Sequence, residues 1–211
     1  MYVDNQVNLA AVAEWEFGVG RGVNSLVCLI VGTGTGAGMI LNGSLFRGYS
    51  HAAGEIGWLL HNESLCRRRF PALGRSVDLH QGEGMPQRVF DTLEVIDKEY
   101  LAGNFNIKDL SNPVALRTNP SLRLVNNMTD YLTLAIASLC AVVNPATVVL
   151  AGDISKGARL LADRLGERLH GKLPLVPRIF VSELGQRAVA LGAVMMVLDA
   201  TTLNTAIANL P

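Results

Sequence analysis

An excess of positive charge is missing from this chain: Lys and Arg total 18, Asp and Glu total 18, and the formal net charge is zero. A domain that grips phosphate backbones needs a basic face, so no nucleic-acid binding is expected through this chain. Cysteine is scarce as well. Cys28, Cys66 and Cys140 are far apart, and two of them sit in apolar runs. They read as buried thiols of a reducing compartment rather than a disulfide set, which makes cytoplasm the expected location. Continuous apolar runs long enough to cross a bilayer are lacking, and the first residues have neither the basic start nor the apolar stretch of a signal peptide, so no membrane association is expected. What is present is core-forming material. Of 211 residues, 49% are hydrophobic, with a mean hydropathy of +0.29. That suffices for one or two compact α/β units and excludes a largely disordered chain.

The periodicity predicts a short helix over residues 7–17, stopped by "GVGRG". Apolar runs at Ser25–Val31 and Gly38–Phe46 predict strands, the second broken by Asn42-Gly43, a pair suited to a two-residue hairpin turn. Val89, Leu93, Ile96 and Tyr100 recur at three- and four-residue steps, an amphipathic helix over 86–101. Residues 103–120 read as a polar connection, and 122–143 as a long helix whose apolar second half predicts a central, buried position. Then follow a strand (146–152), a surface helix (156–169), a strand (178–182) and a packed helix (187–203). The stretch 62–86 has few apolar residues and several turn formers, the mark of an irregular excursion.

Between the first two strands stands "GTGTGAG", residues 32–38. It loosely fits a dinucleotide fingerprint, but that motif opens a helix, and here a strand follows. Glycines without Cβ let backbone N–H groups approach phosphate oxygens, and Thr33 and Thr35 would add hydroxyls. A bulge or tight turn explains the same residues equally well.

Four further stretches carry a resemblance: "VDNQVNLAAVAE", "LFRGYSHAAGEIG", "VVNPATVVLAGDIS" and "SELGQRAVALGAVMMVL". In this order and spacing they resemble the landmarks of the ROK family (repressor, open reading frame, kinase) of the actin-like sugar-kinase superfamily, over nearly the whole chain. The resemblance implies an actin-like, RNase H-like α/β fold with a mixed sheet flanked by helices, chiefly the C-terminal domain of the family. It assigns nucleotide phosphate to Gly32, Thr33, Gly34 and Gly36, and the adenosine side to Gly152. It assigns sugar hydroxyls to Asn5 and Glu55, and Trp58, standing where many members carry a metal-binding histidine, joins them as an expected sugar-binding residue.

Three departures from the family pattern bear on activity. The family's catalytic base is the Asp of an "END" motif, and here the residues are Asp4-Asn5-Gln6. Gln6 cannot take a proton from a hydroxyl, and losing a general base typically costs roughly 10²–10⁴ in rate. Asp4, one position away, reads as a helix cap or turn residue rather than a replacement base. The family's zinc-binding run has become "CRRRFPALGRS", with Cys66 its only thiol; one thiolate is not a tetrahedral site, so no zinc is expected. His61 and His80 read as loop residues, Asp78 and Glu83 are unassigned, and Arg67–Arg69 reads as a solvated loop. The chain also starts about where the second third of a family-length protein would, without the family's first phosphate loop.

The expected function is a sugar-binding effector domain, impaired in phosphoryl transfer, of the kind found in sugar-responsive transcriptional regulators. An ATP- and Mg-dependent hexose or N-acetylhexosamine kinase is one alternative. A ligand-free remnant is another. A homodimer is expected, with the apolar helix near 132–143 as its support.

Overall fold

The computed structural model describes residues 3–32, 35–59, 87–152 and 158–208. The first helix, α1 (Gln6–Glu16), begins where the Asn5 side chain accepts a hydrogen bond from the Val7 N–H, satisfying one of the donors a helix start leaves open. It ends at Phe17, after which Gly18 and Gly20 wrap the Glu14 side chain and carbonyl so closely that a Cβ on either would collide. Strands β1 (Ser25–Val31), β2 (Thr35–Leu41) and β3 (Ser44–Phe46) form an antiparallel meander. The β2–β3 turn is the Asn42-Gly43 pair, both residues at positive φ (53° and 71°), as the hairpin reading requires. Strand β2 begins earlier than the apolar pattern indicated, at Thr35. Gly36 therefore lies within the strand, opposite Ile30, rather than between strands.

The chain then resumes at helix α2 (Gln87–Leu101). The polar connection is more ordered than its composition suggested. It contains a 3-10 turn (Ile107–Ser111) and a short helix, α3 (Pro113–Thr118), capped by Asn112, with proline in the first turn where a missing N–H costs nothing. Helix α4 (Pro120–Val143) is capped by Asn119 and closed by Asn144 in the left-handed conformation. Strand β4 (Thr147–Ala151), helix α5 (Ala158–Leu169), strand β5 (Arg178–Val181) and helix α6 (Arg187–Ala208) complete the described residues.

The five strands make one sheet in the order β3-β2-β1-β4-β5, with β4 parallel to both β1 and β5. Side chains of a strand alternate between faces, and here each face buries a separate core. Val27, Leu29, Val31, Met39, Val148 and Leu150 pack with α2, α4 and α5. Leu26, Cys28, Ile40, Val149 and Ala151 pack with α1 and α6. The second core is thin because backbones approach closely: a Cβ on Gly38 would lie 2.1 Å from the Val7 carbonyl oxygen, and one on Gly192 1.8 Å from that of Leu9. Helix α4 is not buried all round, since Leu134 and Val142 are exposed. Cys28 and Cys140 are buried free thiols, and burial, with the charge of Glu14 beside it, pushes the Cys28 thiol far above its ordinary value. Among the described residues no helix is long and apolar enough to cross a membrane.

Candidate functional site

Parallel strands β1 and β4 finish side by side, with Ile30 opposite Ala151. Gly32 and Gly152 thus follow neighbouring strand ends, the place where open α/β sheets bind ligands. Gly152 has φ 84°, and a Cβ there would meet Ile30 and the Val31 carbonyl at 3.0 and 3.2 Å. The position requires glycine. Gly36 is on the same end of the sheet, where its bare Cα admits Val7 of α1; an added Cβ would lie 2.8 Å from Val7 Cγ1. Its absence of a side chain thus has a packing cause, whatever it binds. Thr33 and Gly34 lie outside the described residues.

The start of α1 reaches this same end. Asn5 Oδ1 caps Val7 N–H at 3.3 Å, while Asn5 Nδ2 donates to Glu55 Oε1 at 3.3 Å. Two residues 50 positions apart are thereby brought into contact. The loop carrying Glu55 is fixed on both sides. Gly54 (φ 87°) accepts a hydrogen bond from Ala37 N–H at 2.8 Å, so close to β2 that a Cβ would sit 1.7 Å from the Ala37 oxygen. After Glu55, Ile56 is buried, and its carbonyl accepts a hydrogen bond from the Tyr131 hydroxyl of α4 at 3.2 Å. Trp58 ends the 3-10 turn Ile56–Trp58; its side chain lies outside the described residues.

Gln6 is exposed at the first turn of α1. Asp4, the nearest carboxylate in sequence, is fully engaged. Its Oδ1 accepts from Asn5 N–H (2.8 Å) and Asn8 Nδ2 (2.7 Å), and its Oδ2 from Arg47 Nε (2.9 Å) and Nη2 (2.8 Å). Burial alone would raise its pKa, but the bonds from Asn8, Asn5 and Arg47, with the Arg47 charge, outweigh burial and hold it below the ordinary value. A carboxylate held this way is a poor proton acceptor. Asn5, not Asp4, is the helix cap, because the capping oxygen must reach the N–H two residues on.

Arg47 and Asn8 were not singled out from the sequence. An arginine directly after an apolar hairpin strand, with an aspartate before the helix that packs on that strand, was the available signal. His51 is exposed at φ 59°. Cys66, His61, His80, Asp78, Glu83 and Arg67–Arg69 lie outside the described residues. Among the described residues no group of three His, Cys, Asp or Glu side chains is placed to hold a metal ion.

Comparisons with known proteins bear on the family and the fold. The chain is 28% identical to a glucokinase of Halalkalibacterium halodurans over 187 residues, 84% of this chain and 55% of that protein. It is 24% identical to the xylose repressor of Bacillus subtilis over 207 residues, 94% of this chain and 50% of the repressor. It therefore spans about half the length of these curated relatives. The crystal structure of the ROK hexokinase from Thermus thermophilus superposes with a TM-score of 0.62 at 26% identity, covering 92% of this chain and 65% of the hexokinase. The fold is accordingly the expected actin-like α/β fold, with relatives among both sugar kinases and repressors. A family model described as the ROK family matches residues 1–200, and over that span the chain belongs to the ROK family.

Proposed function

We propose that the chain binds a hexose or N-acetylhexosamine through Asn5 and Glu55 and does not phosphorylate it, acting as the effector-binding part of a sugar-responsive regulator. The observation that carries this reading is the Asn5–Glu55 contact beside Gln6, the residue that the family resemblance sets at the base position. Together an amide and a carboxylate offer donors and acceptors at fixed spacing, which suits the paired hydroxyls of a sugar and disfavours ligands that leave those groups unpaired. Gln6 supplies hydrogen bonds but no basic atom, and Asp4 is committed to Arg47, Asn5 and Asn8.

The second reading, an ATP-dependent sugar kinase, is favoured by the meeting of Gly32 and Gly152 at one sheet end. These two, with Gly36, Thr33 and Gly34, are the residues that would line a nucleotide. The positive φ and tight surroundings of Gly152 fit a backbone-lined surface of that kind. When bound, Mg-ATP would supply the transferable phosphoryl group. A phosphoryl-transfer assay separates the two readings. With glucose, N-acetylglucosamine or mannose and Mg-ATP, the sensor reading predicts no sugar phosphate above background, and turnover that disappears in Glu55→Ala would establish the kinase instead.

A further inference from the structure

Asn5 and Glu55 are joined by one hydrogen bond at 3.3 Å, in a place open to water. A bond of that length, in competition with solvent, does little to fix the distance between its partners. Their spacing must come from the backbones that carry them. Arg47 touches both. Its guanidinium grips Asp4, the residue before Asn5, with Nε and Nη2 at 2.9 and 2.8 Å on the same oxygen. The Asp4 side chain is only 6% exposed and passes the restraint on, through 2.8 Å to the Asn5 N–H and 2.7 Å to Asn8 in the first turn of α1. At the other end, the Arg47 carbonyl accepts from Ala53 N–H at 3.1 Å, closing the loop that delivers Glu55 two residues later. Gly48, at φ 71°, lets that loop fold back; a Cβ there would press on Ala53 at 3.0 Å.

We propose that Arg47 is a positioning residue for the site, holding Asp4 by its side chain and Ala53 by its carbonyl, and so setting the separation of Asn5 and Glu55 that a ligand's hydroxyls meet. This rests on the reading of Asn5 and Glu55 as the sugar-contacting pair. Arginine is suited to the task because its planar fork makes two charge-assisted bonds at once, whereas lysine offers a point charge. Sites held by such supporting bonds lose affinity when the support is removed, although the support never touches the ligand.

The test is calorimetric titration with glucose and N-acetylglucosamine of the wild type, Arg47→Gln, Arg47→Lys, Asp4→Asn and the Asp4→Asn/Arg47→Gln double variant, with melting temperatures recorded for each. Arg47→Gln is expected to weaken binding about tenfold and Arg47→Lys to recover part of that loss. The double variant should bind no worse than either single one, because both remove the same link. Binding unchanged in Arg47→Gln, or losses that add in the double variant, would overturn the proposal. The Asn5 side-chain amide signals in the NMR spectrum of the sugar-free protein give a second readout. They should shift in Arg47→Gln in the same sense as in Glu55→Ala, and signals unmoved in Arg47→Gln would also overturn it. A wild-type chain that binds no sugar would instead overturn the reading of the site, and the amide signals would still decide whether Arg47 orders the pair.

Discussion

Asp4, just before α1, and Glu14, within it, are ten residues apart and carry opposite pH dependences. Glu14 is fully buried, and its pKa is raised by that burial, against hydrogen bonds from Ser182 and Val19 and with help from the charge of Glu183. An acid whose folded value lies above its unfolded one stabilises the fold most below the ordinary value of 4.5, and that stability is lost as pH rises through the raised value. Asp4, held below 3.8, contributes stability above that value and loses it as pH falls through its lowered pKa. Denaturant midpoints measured against pH check both. Glu14→Gln should flatten the decline in stability above pH 4.5, and Asp4→Asn should remove part of the loss on the acid side of 3.8. Slopes identical to wild type would contradict the assignment. Neither role was legible in the sequence, where Glu14 fell only within the short helix predicted over residues 7–17. A residue's partner 168 positions away, as Ser182 is for Glu14, leaves no local signal.

Elements were more legible than their contacts. The hairpin at Asn42-Gly43 and the strand Ser25–Val31 follow from local chemistry alone, because a turn needing positive φ at two positions and a short continuous apolar run, buried on both faces of the sheet, are written in consecutive residues. Helix α3 was missed because its six residues are too few to repeat a hydrophobic period, and only its Asn112-Pro113 start announced it. The close crossing of α1 and α6 was also invisible, since it depends on Gly192 meeting the backbone of Leu9. This crossing gives a contrast between two helical glycines. Gly192→Ala should cost about 1–3 kcal/mol, because the helices must part to admit a methyl group. Gly166→Ala on α5, where an added Cβ meets nothing within 4 Å, should stabilise by roughly 0.4–1 kcal/mol through lost freedom of the unfolded chain. Thermal melts of the two variants moving in the same direction would show that the crossing is looser than its geometry.

At the scale of the whole molecule, one sheet organises the described elements. Its two faces each bury a core, and one of its ends gathers the starts and finishes of elements: the ends of β1 and β4, the first residues of β2, the cap of α1 and the loop of Glu55. The resemblance in sequence assigned Asn5 and Glu55 to a sugar and Gly32 and Gly152 to a nucleotide; the contact of the first two depends on the docking of Gly54 on β2, and the second two follow neighbouring strands because β1 pairs in parallel with β4. Arg47 was beyond reach of that reading, since what it does is join two segments that already look complete. The central claim is that Asn5 and Glu55 form a sugar-binding pair. Calorimetric titration of the chain with glucose, N-acetylglucosamine and mannose, with Glu55→Ala run alongside, tests it most directly. The account predicts saturable heat with at least one sugar in the wild type and its loss, by tenfold or more, in Glu55→Ala. No heat with any sugar at millimolar concentration, or a Glu55→Ala variant that binds as tightly as the wild type, would contradict it.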